Sequence, residues 1–375
     1  MLNIVVPMAG RGSRFASAGY TVPKPLIPVG GKPMIQWVID NVRPTAPHRF
    51  IFICLADHLR EYPDVPATLR LLCPGCEIVE VAQVTEGAAC TVLLAREFID
   101  NDDPLMIANA DQFVEIPIDR YLAQMDEQHA DGLIMTFWAD HPKWSYCRMR
   151  PDGTVAQVVE KQVVSNEATV GIYNFRRGCD YVRAADTMIA KDLRVNNEFY
   201  VAPTYDQLIE QGKKVVIADT GREYDGMFGL GTPGDLDFFL TTEAYRQGRV
   251  APQPSDYEGA ELTRRLSELY ARFFNDKNVA GVRATLAERA TLRDPGVFLE
   301  GREAIMEFVS GLFAKTSELS FRPLRIVAER EQSVIEFELV LDGQRLIGAD
   351  VICWTPDHRI ASLDAYLYPA PDKTV

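Results

Sequence analysis

The 375-residue sequence lacks the features that direct a chain to secretion or into a membrane. Its first residues, Met1 to Pro7, carry no basic segment, and no apolar run reaches the roughly 20 residues that span a bilayer. A positive net charge is also missing. The formal charge is -14, which argues against nucleic acid or an anionic membrane as a partner. We therefore expect a cytoplasmic protein that acts on small molecules.

Cysteine and histidine are scarce and scattered along the chain. Seven cysteines, an odd number, do not indicate a disulfide framework, and Cys73 and Cys76 form a lone CxxC without the second pair of a zinc site. The five histidines form no ligand-like cluster. We interpret the CxxC as a turn with two thiols, and we look for the chemistry among other residue types.

The length predicts two domains rather than one. Over residues 1–247, short β-rich runs alternate with helical patterns, which is typical of a mostly parallel, Rossmann-like α/β sheet. The polar, proline-containing stretch 247–256 is interpreted as a linker. From 257 to 375, helical stripes precede a run of strand-like segments, which predicts a separate, small α+β domain.

A glycine-rich segment follows the first predicted strand, Pro7-Met-Ala-Gly-Arg-Gly-Ser-Arg14. Gly10 and Gly12 let backbone amides approach phosphate oxygens without a Cβ in the way. Arg11 and Arg14 offer forked donors that suit phosphate. Taken alone, so short a motif fits an ordinary turn between a strand and a helix equally well.

A second segment, Pro23-Lys-Pro-Leu-Ile-Pro-Val-Gly-Gly-Lys-Pro-Met34, makes the pattern more specific. Lys24 is a compact positive charge between two prolines, and these prolines restrict its backbone. A glycine loop followed by cations, both placed after the first strand, indicates a polyphosphate site.

The two segments together resemble the signature of the sugar-phosphate nucleotidyltransferase family, over about residues 1–245. The resemblance implies a Rossmann-like enzyme that transfers a nucleoside monophosphate from a triphosphate to a small phosphorylated substrate and releases pyrophosphate. It also implies that Arg14 and Lys24 bind the triphosphate and stabilise the charge on the departing pyrophosphate. Further nucleotide contacts would come from the glycine loop: Ala9, Gly10, Gly12 and Ser13.

Further matches follow in the order of the family. Gln83-Val-Thr-Glu-Gly87 resembles the base-binding loop, and its spacing favours a pyrimidine nucleotide. Asp111 lies where the family has a metal-binding aspartate, which implies Mg²⁺. Glu160-Lys161 and Gly171 resemble the segments that bind the phosphorylated substrate. The residues alone also fit an exposed glutamine, a helix cap and a surface charge pair.

One position departs from the family pattern. The family usually has an aspartate two residues before the glycine of a G-T pair, here Gly231-Thr232, and that aspartate completes the metal site. This chain has Gly229 there, which offers no side chain. Asp225, four residues earlier, is the candidate substitute. Alternatively, Asp111, the triphosphate and water hold the metal.

Residues from about 258 to 370 resemble the SnoaL-like branch of the cone-shaped α+β barrels, which includes ketosteroid isomerases. The resemblance implies an apolar pocket and dimerisation through the sheet, and we expect an accessory role such as formation of a homodimer. Four residues are candidate acid–base groups if they face that pocket: Asp294, Asp350, His358 and Asp364. The same residues fit a cap, an edge charge and turns.

Several functions stay open at this point. The leading prediction is an Mg²⁺-dependent nucleotidyltransferase acting on a nucleoside triphosphate and a sugar phosphate or other phosphomonoester. A nucleotide-sugar-dependent glycosyltransferase is an alternative, but it would need a metal-binding D-x-D motif. The corresponding segment here, Asn109-Ala-Asp111, does not have that pattern. A non-catalytic nucleotide-binding sensor, dimerised by its C-terminal domain, is favoured by Gly229. A bifunctional enzyme would add an isomerisation or cyclisation in the barrel.

Overall fold

The computed structural model describes residues 1–10, 12–248 and 258–370. Within these ranges, no helix combines the length and the apolar composition that crossing a membrane requires. The seven cysteines are all free thiols, and Cys76 donates its backbone N–H to the carbonyl of Cys73, as expected for a turn.

Contacts divide the chain into two compact units, Met1–Leu236 and Asp237–Val375. The predicted linker at 247–256 lies almost entirely outside the described residues. The predicted domain limits of 1–247 and 257–375 therefore stay predictions.

The first unit alternates strands and helices. Its strands are β1 (Leu2–Met8), β2 (Pro28–Val29), β3 (Lys32–Pro33), β4 (His48–Leu55), β5 (Glu77–Val81), β6 (Leu105–Ala108), β7 (Gln112–Val114), β8 (Gly132–Trp138), β9 (Ser145–Met149), β10 (Val155–Glu160), β11 (Glu167–Phe175), β12 (Val215–Glu223) and β13 (Gly226–Gly229). Its helices are α1 (Ser13–Ser17), α2 (Met34–Val42), α3 (Ala56–Glu61), α4 (Asp64–Leu72), α5 (Ala88–Leu93), α6 (Arg96–Ile99), α7 (Ile118–Glu127), α8 (Gly178–Ala190) and α9 (Thr204–Glu210), and α10 (Pro233–Phe239) follows β13.

Most of these strands form one large sheet in the order β5-β4-β1-β6-β11-β8-β12-β13-β7, with β9 and β10 attached beside β11. Strands β5, β4, β1 and β6 are parallel neighbours, as are β8, β12 and β13. Strands β11 and β7 run antiparallel to their neighbours. The predicted mostly parallel, Rossmann-like fold is confirmed.

The centre of this sheet positions the candidate site. The apolar run of β1 is buried along nearly its whole length, as expected for a parallel strand covered on both faces. Val5 of β1 is in register with Ile107 of β6. Because the two strands are parallel, the loops that follow Met8 and Ala108 leave the sheet at the same edge, where α/β sheets bind their ligands.

The second unit has a helical first part and a sheet. Its further elements are α11 (Glu243–Gly248), α12 (Gly259–Asn275), α13 (Val279–Thr285), β14 (Leu286–Asp294), β15 (Val297–Glu300), α14 (Arg302–Lys315), β16 (Leu319–Ala328), β17 (Gln332–Leu341), β18 (Gln344–Trp354) and β19 (Ile360–Pro369). The strands form a sheet in the order β15-β14-β19-β18-β17-β16, which is antiparallel except between β14 and β19. The predicted small α+β domain is confirmed.

One predicted helix differs in the structure. The pattern over Ala88–Phe98 predicts a single helix, but the structure divides it into α5 and α6. At the break, Leu94 and Ala95 donate their N–H groups to carbonyls three residues back rather than four. This tighter turn interrupts the α-helical ladder.

The core of the first unit gives a direct stability test. Leu208 of α9 is 1% exposed, whereas Leu71 of α4 is 79% exposed. Leu208→Ala should lower the free energy of unfolding by about 2–5 kcal/mol, because it removes packed methyl groups and leaves a cavity. Leu71→Ala should stay within about 0.5 kcal/mol of the wild type. Urea unfolding measures both, and equal losses would contradict the assigned core.

Candidate active site

The glycine loop joins β1 to α1. Gly12 has a left-handed backbone (φ 61°), and a Cβ there would lie 3.4 Å from the Cβ of Lys24. A side chain at this position would therefore be strained and would crowd the lysine stem. Arg11, between the two glycines, lies outside the described residues.

Lys24 and Asp111 form an ion pair across the site. The Nζ of Lys24 donates to Oδ2 of Asp111, and the two side chains are 22% and 30% exposed. Lys24 starts a 3₁₀ turn, Lys24–Leu26, directly after the extended Pro23. Asp111 lies just beyond β6. The pair thus joins the two loops that leave the same edge of the sheet.

A cavity of about 410 Å³ lies around this ion pair. Gly10, Gly12, Lys24 and Asp111 all line it, so the structure brings these predicted residues together. Ala9, Ser13 and Arg14 belong to the same loop and to the first turn of α1, but they are not among its lining residues. Other residues of the lining were not expected from the sequence: Tyr20, His58 and Tyr62.

A second, smaller cavity of about 170 Å³ adjoins the first, because Asn109 lines both. The predicted substrate residues Glu160 and Gly171 line it. The rest of its lining includes residues that sequence reasoning missed: Gln112, Lys143, Ser145 and Tyr173. No sequence signal marks these four, since three lie within strands and one in a loop.

The surroundings of position 171 leave room only for glycine. Its φ is 99°, and a Cβ there would lie 2.0 Å from Nδ2 of Asn109 and 2.9 Å from Oε1 of Gln112. The carbonyl of Gly171 also accepts the backbone N–H of Asn109. Oε1 of Gln112 is buried and has no hydrogen-bond partner within the described part of the chain. A bound hydroxyl group would satisfy this acceptor.

Glu160 is a partly buried carboxylate held by a neighbour. The hydroxyl of Ser145 donates to its Oε2. Burial raises the pKa of Glu160, while the Ser145 hydrogen bond and the charge of Lys161 oppose the rise. The other carboxylate oxygen, Oε1, can accept a further hydrogen bond, which suits it to bind a hydroxyl group of the substrate.

Lys161 does not line the second cavity, but it is bonded to Tyr200, which does. Its backbone has a positive φ of 55°, and its Nζ donates to the hydroxyl of Tyr200 at 2.7 Å. Tyr200 lines the cavity, whereas Lys161 is exposed beside it. Burial raises the pKa of Tyr200, and the hydrogen bond from Lys161 opposes that rise.

The loop Gln83–Gly87 is fixed to the segment that carries Tyr200. Phe199 donates its N–H to the carbonyl of Glu86 and accepts from the N–H of Ala89. A Cβ on Gly87 would lie 2.4 Å from the carbonyl oxygen of Phe199, so only glycine fits this contact. Gln83 is exposed and lines neither cavity. The assignment of this loop to a base stays a prediction.

The proposed metal ligands lie at separate places. The backbone N–H of Leu230 donates to the carbonyl of Asp111, next to the Gly229 end of β13. Asp225 precedes the opposite end of β13 in an exposed turn, so the structure does not bring it to Asp111. A Cβ on Gly231 would lie 2.9 Å from Oδ2 of Asp111, which explains this glycine.

The position of Gly229 faces a different carboxylate. A Cβ there would lie 3.5 Å from the carboxyl group of Asp235. Both Asp235 oxygens are already occupied, by the hydroxyls of Tyr224 and Thr232. The hydroxyl oxygen of Thr232 also accepts the backbone N–H of Asp235, which caps the start of α10. The Thr232-x-x-Asp235 spacing is a sequence signal for it.

The residues present fit an Mg²⁺ ion with one protein carboxylate. The described residues hold no cluster of three or more acidic, histidine or cysteine ligands. Mg²⁺ in nucleotide enzymes takes one or two carboxylates and completes its octahedron with phosphates and water. Asp111 lines the cavity and supplies one such group. Asp225, the candidate for a second protein ligand, does not line this cavity and is not beside Asp111.

Comparison with known proteins identifies the first unit. Residues 4–216 match the family model described as nucleotidyl transferase. The chain belongs to the nucleotidyl transferase family. Residues 266–363 match the SnoaL-like domain model. Both predicted resemblances are confirmed.

Individual relatives agree with this assignment. The chain is 31% identical over 188 residues to the bifunctional protein GlmU of Solibacter usitatus, covering 47% of this chain but 38% of that protein. It is 25% identical over 354 residues to the bifunctional protein GlmU of Enterococcus faecalis, covering 90% of this chain and 69% of that protein. The chain thus spans about 38% of the length of the first relative.

A solved structure matches the first part of the chain. The nucleoside-diphosphate-sugar pyrophosphorylase from Vibrio cholerae RC9 superimposes with a TM-score of 0.54 and 28% identity. The match covers 63% of this chain and 98% of that structure. A protein of known structure therefore shares the fold that the sequence predicts for the first part of this chain.

The contact between Gly171 and Asn109 leads to a mutational test. Gly171→Ala should displace Asn109 from the wall of both cavities and lower kcat/KM at least about tenfold. Gly153 also has a positive φ, of 81°, but nothing lies within 4 Å of a Cβ there. Gly153→Ala thus carries the backbone strain without the clash. Equal kinetics in both variants would show that Asn109 has no role in the site.

The environment of Glu160 predicts a pH dependence. We expect substrate binding to need the carboxylate, so KM should rise as pH falls through a Glu160 pKa that burial has raised. Ser145→Ala should move this rise in KM to higher pH, since it removes a donor to the carboxylate. Ser165→Ala is the control, because that hydroxyl donates to the carbonyl of Cys147. Identical pH profiles for wild type and Ser145→Ala would refute the role of this carboxylate.

Proposed function

We propose that this protein transfers a nucleoside monophosphate from a nucleoside triphosphate, with a pyrimidine base favoured, to a sugar phosphate or related phosphomonoester. The observation that carries the proposal is the Lys24–Asp111 ion pair in a cavity walled by the glycine loop. Membership of the nucleotidyl transferase family supports it. The solved Vibrio cholerae relative, described as a nucleoside-diphosphate-sugar pyrophosphorylase, supports a sugar phosphate as the partner.

The larger cavity suits the triphosphate. Gly10 is exposed in the loop after β1, where backbone amides can reach phosphate oxygens. Lys24 adds a charge that is not fully buried and can turn from Asp111 to a phosphate. Arg14, exposed on the first turn of α1, is a second cation on the same loop. The spacing of Gln83 and Gly87 is the support for a pyrimidine.

The smaller cavity suits the polar body of the phosphorylated substrate. The carboxylate of Glu160 and the unpartnered Oε1 of Gln112 are acceptors for hydroxyl groups. Lys161, bonded to Tyr200, lies beside the cavity as a cation for the phosphate. Because Asn109 lines both cavities, a substrate here lies next to the triphosphate site.

The reaction is an in-line displacement at phosphorus. A phosphate oxygen of the substrate, already an anion, attacks the α-phosphorus of the triphosphate. The bond from that phosphorus to the oxygen that bridges the α- and β-phosphorus atoms breaks. Pyrophosphate leaves with the bonding electrons. Lys24 and Arg14 stabilise the charge that builds up on it, and the two adjoining cavities hold the reactants in position. No general base is needed, since the nucleophile carries no proton to remove.

Asp111 would hold Mg²⁺, which supplies charge neutralisation on the triphosphate oxygens when bound. The Lys24 ammonium now bonded to Asp111 already balances one carboxylate charge.

Free thiols at all seven cysteines support the cytoplasm as the site of action.

A second candidate function is a nucleotide-binding sensor without turnover. The specific observation in its favour is Gly229, which offers no side chain at the position where the family resemblance implies a second metal-binding aspartate. A sensor would bind a triphosphate and release no pyrophosphate with any partner. The C-terminal domain would then serve to form a homodimer.

The role of the ion pair can be tested against a matched pair elsewhere. Lys213 and Asp131 are 3.2 Å apart, with exposures of 27% and 28% that resemble those of Lys24 and Asp111. Lys24→Ala and Asp111→Asn should each lower kcat at least about a hundredfold, because they remove stabilisation of the transition state. Lys213→Ala should leave kcat within about twofold, since it lies outside both cavities.

Pyrophosphate release gives the readout for these variants. The wild type is first assayed with Mg²⁺ across the common nucleoside triphosphates, each paired with sugar 1-phosphates and small phosphomonoesters. We expect release that needs one triphosphate and one phosphorylated partner together. Wild-type rates in Lys24→Ala or Asp111→Asn would remove the site assignment. Tight triphosphate binding without release for any pair would favour the sensor.

A further inference from the structure

The second unit encloses a cavity of about 180 Å³ that the nucleotidyl transfer does not use. For comparison, a cavity of roughly 150 Å³ lined by apolar side chains can hold a benzene ring. The lining is largely aliphatic and aromatic. Its aromatic members come from α12, α14 and two strands: Tyr270, Phe274, Phe308, Phe321 and Phe337.

Two carboxyl groups interrupt this apolar lining. Asp350 of β18 is 3% exposed, and the described residues that line the cavity include no cationic side chain to pair with its carboxyl group. Asp294, at the end of β14, is partly exposed and also lines an outer cleft with Tyr366 and Tyr368. A buried carboxylate without a counter-ion is costly, so a carboxyl group in the wall of an apolar cavity indicates a cationic ligand.

The charge of the lining selects the kind of ligand. Among the residues described around this cavity, Asp294, Asp350 and the hydroxyl of Tyr270 are the titratable groups, and no lysine, arginine or histidine is present. Buried carboxylates are normally paired with a cation. The faces of aromatic rings also attract cations. A phosphorylated sugar or a nucleotide, both anions, would be repelled.

We propose that this cavity is a binding site for a small apolar cation, a primary ammonium group on a body about the size of one aromatic ring. The ammonium is held between the carboxylates of Asp350 and Asp294. The ring packs among the phenylalanine side chains. Asp294, shared by the cavity and the outer cleft, marks the side from which the ligand enters.

The titration of Asp350 makes the site sensitive to pH. Burial, with the nearby charge of Asp294, raises the pKa of Asp350 to about 8. Burial also raises the pKa of Asp294. At pH 6 Asp350 is neutral, so an ammonium ion must displace its proton. Affinity for the cation therefore increases with pH up to the range where the amine, with a pKa near 10, loses its own proton.

The experiment compares three probes of one shape on the full chain: 2-phenylethylamine, 2-phenylethanol and phenylacetate. Calorimetry at pH 8 should show the amine binding about tenfold to a hundredfold more tightly than the alcohol, as expected for a charge-assisted hydrogen bond. Phenylacetate should not bind. Between pH 6 and pH 8, affinity for the amine should rise, whereas a neutral acceptor bonded to protonated Asp350 would bind less tightly.

Asp350→Asn should abolish the preference for the amine over the alcohol and the rise with pH. Asp357→Asn makes the same change at an exposed turn outside the cavity and should keep both. Circular dichroism checks that each variant is folded. Equal affinity for amine and alcohol in the wild type, no binding of the amine, or an affinity that falls from pH 6 to pH 8 would each overturn the proposal.

Discussion

Parallel pairing of β1 with β6 is the constraint on which the candidate site depends. It places the ends of two separate strands at one edge of the sheet, although their loops lie about a hundred residues apart in the chain. The glycine loop and Lys24 come from one side, and Asn109 and Asp111 from the other. The ion pair between Lys24 and Asp111 closes this junction. A positive and a negative group so arranged can hold a triphosphate and its metal ion.

Close packing around the site requires glycine at several positions. Gly171 makes room for Asn109, Gly87 for the backbone of Phe199, and Gly231 for the carboxylate of Asp111. Each glycine lets its backbone lie against a neighbouring group, and the contact between Gly171 and Asn109 lies in the wall of the second cavity. Gly229 is different, because a side chain there would point towards Asp235, whose oxygens already accept the hydroxyls of Tyr224 and Thr232. Asp111, paired with Lys24, therefore has no second carboxylate from the Gly229 position beside it.

Much of the fold could be predicted from local sequence. The apolar run over residues 4–8 of β1 and the two prolines around Lys24 carry strong local preferences, and the structure agrees with them. The break between α5 and α6 could not be predicted, since apolar spacing continues through it. The short strands β7 and β13 also give no periodic signal, because they have three and four residues.

The site was predictable only where a motif marks it. Lys24, Asp111, Glu160 and Gly171 lie in recognisable segments, and the structure places all four on the two cavities. Ser145 and Gln112 reach the second cavity from strands β9 and β7, a placement that spacing along the chain does not encode. The placement of Asp225 away from Asp111 likewise depends on the register of β13 with β7.

The most direct test of the central claim follows the phosphorus atoms of the triphosphate. The protein is incubated with Mg²⁺, a phosphorylated sugar and the same triphosphate labelled with ³²P at either the α or the γ position. The account predicts that α-label appears in the nucleotide-linked product and γ-label in pyrophosphate. Transfer of γ-label to the sugar phosphate, or retention of both labels in intact triphosphate that remains bound, would contradict it.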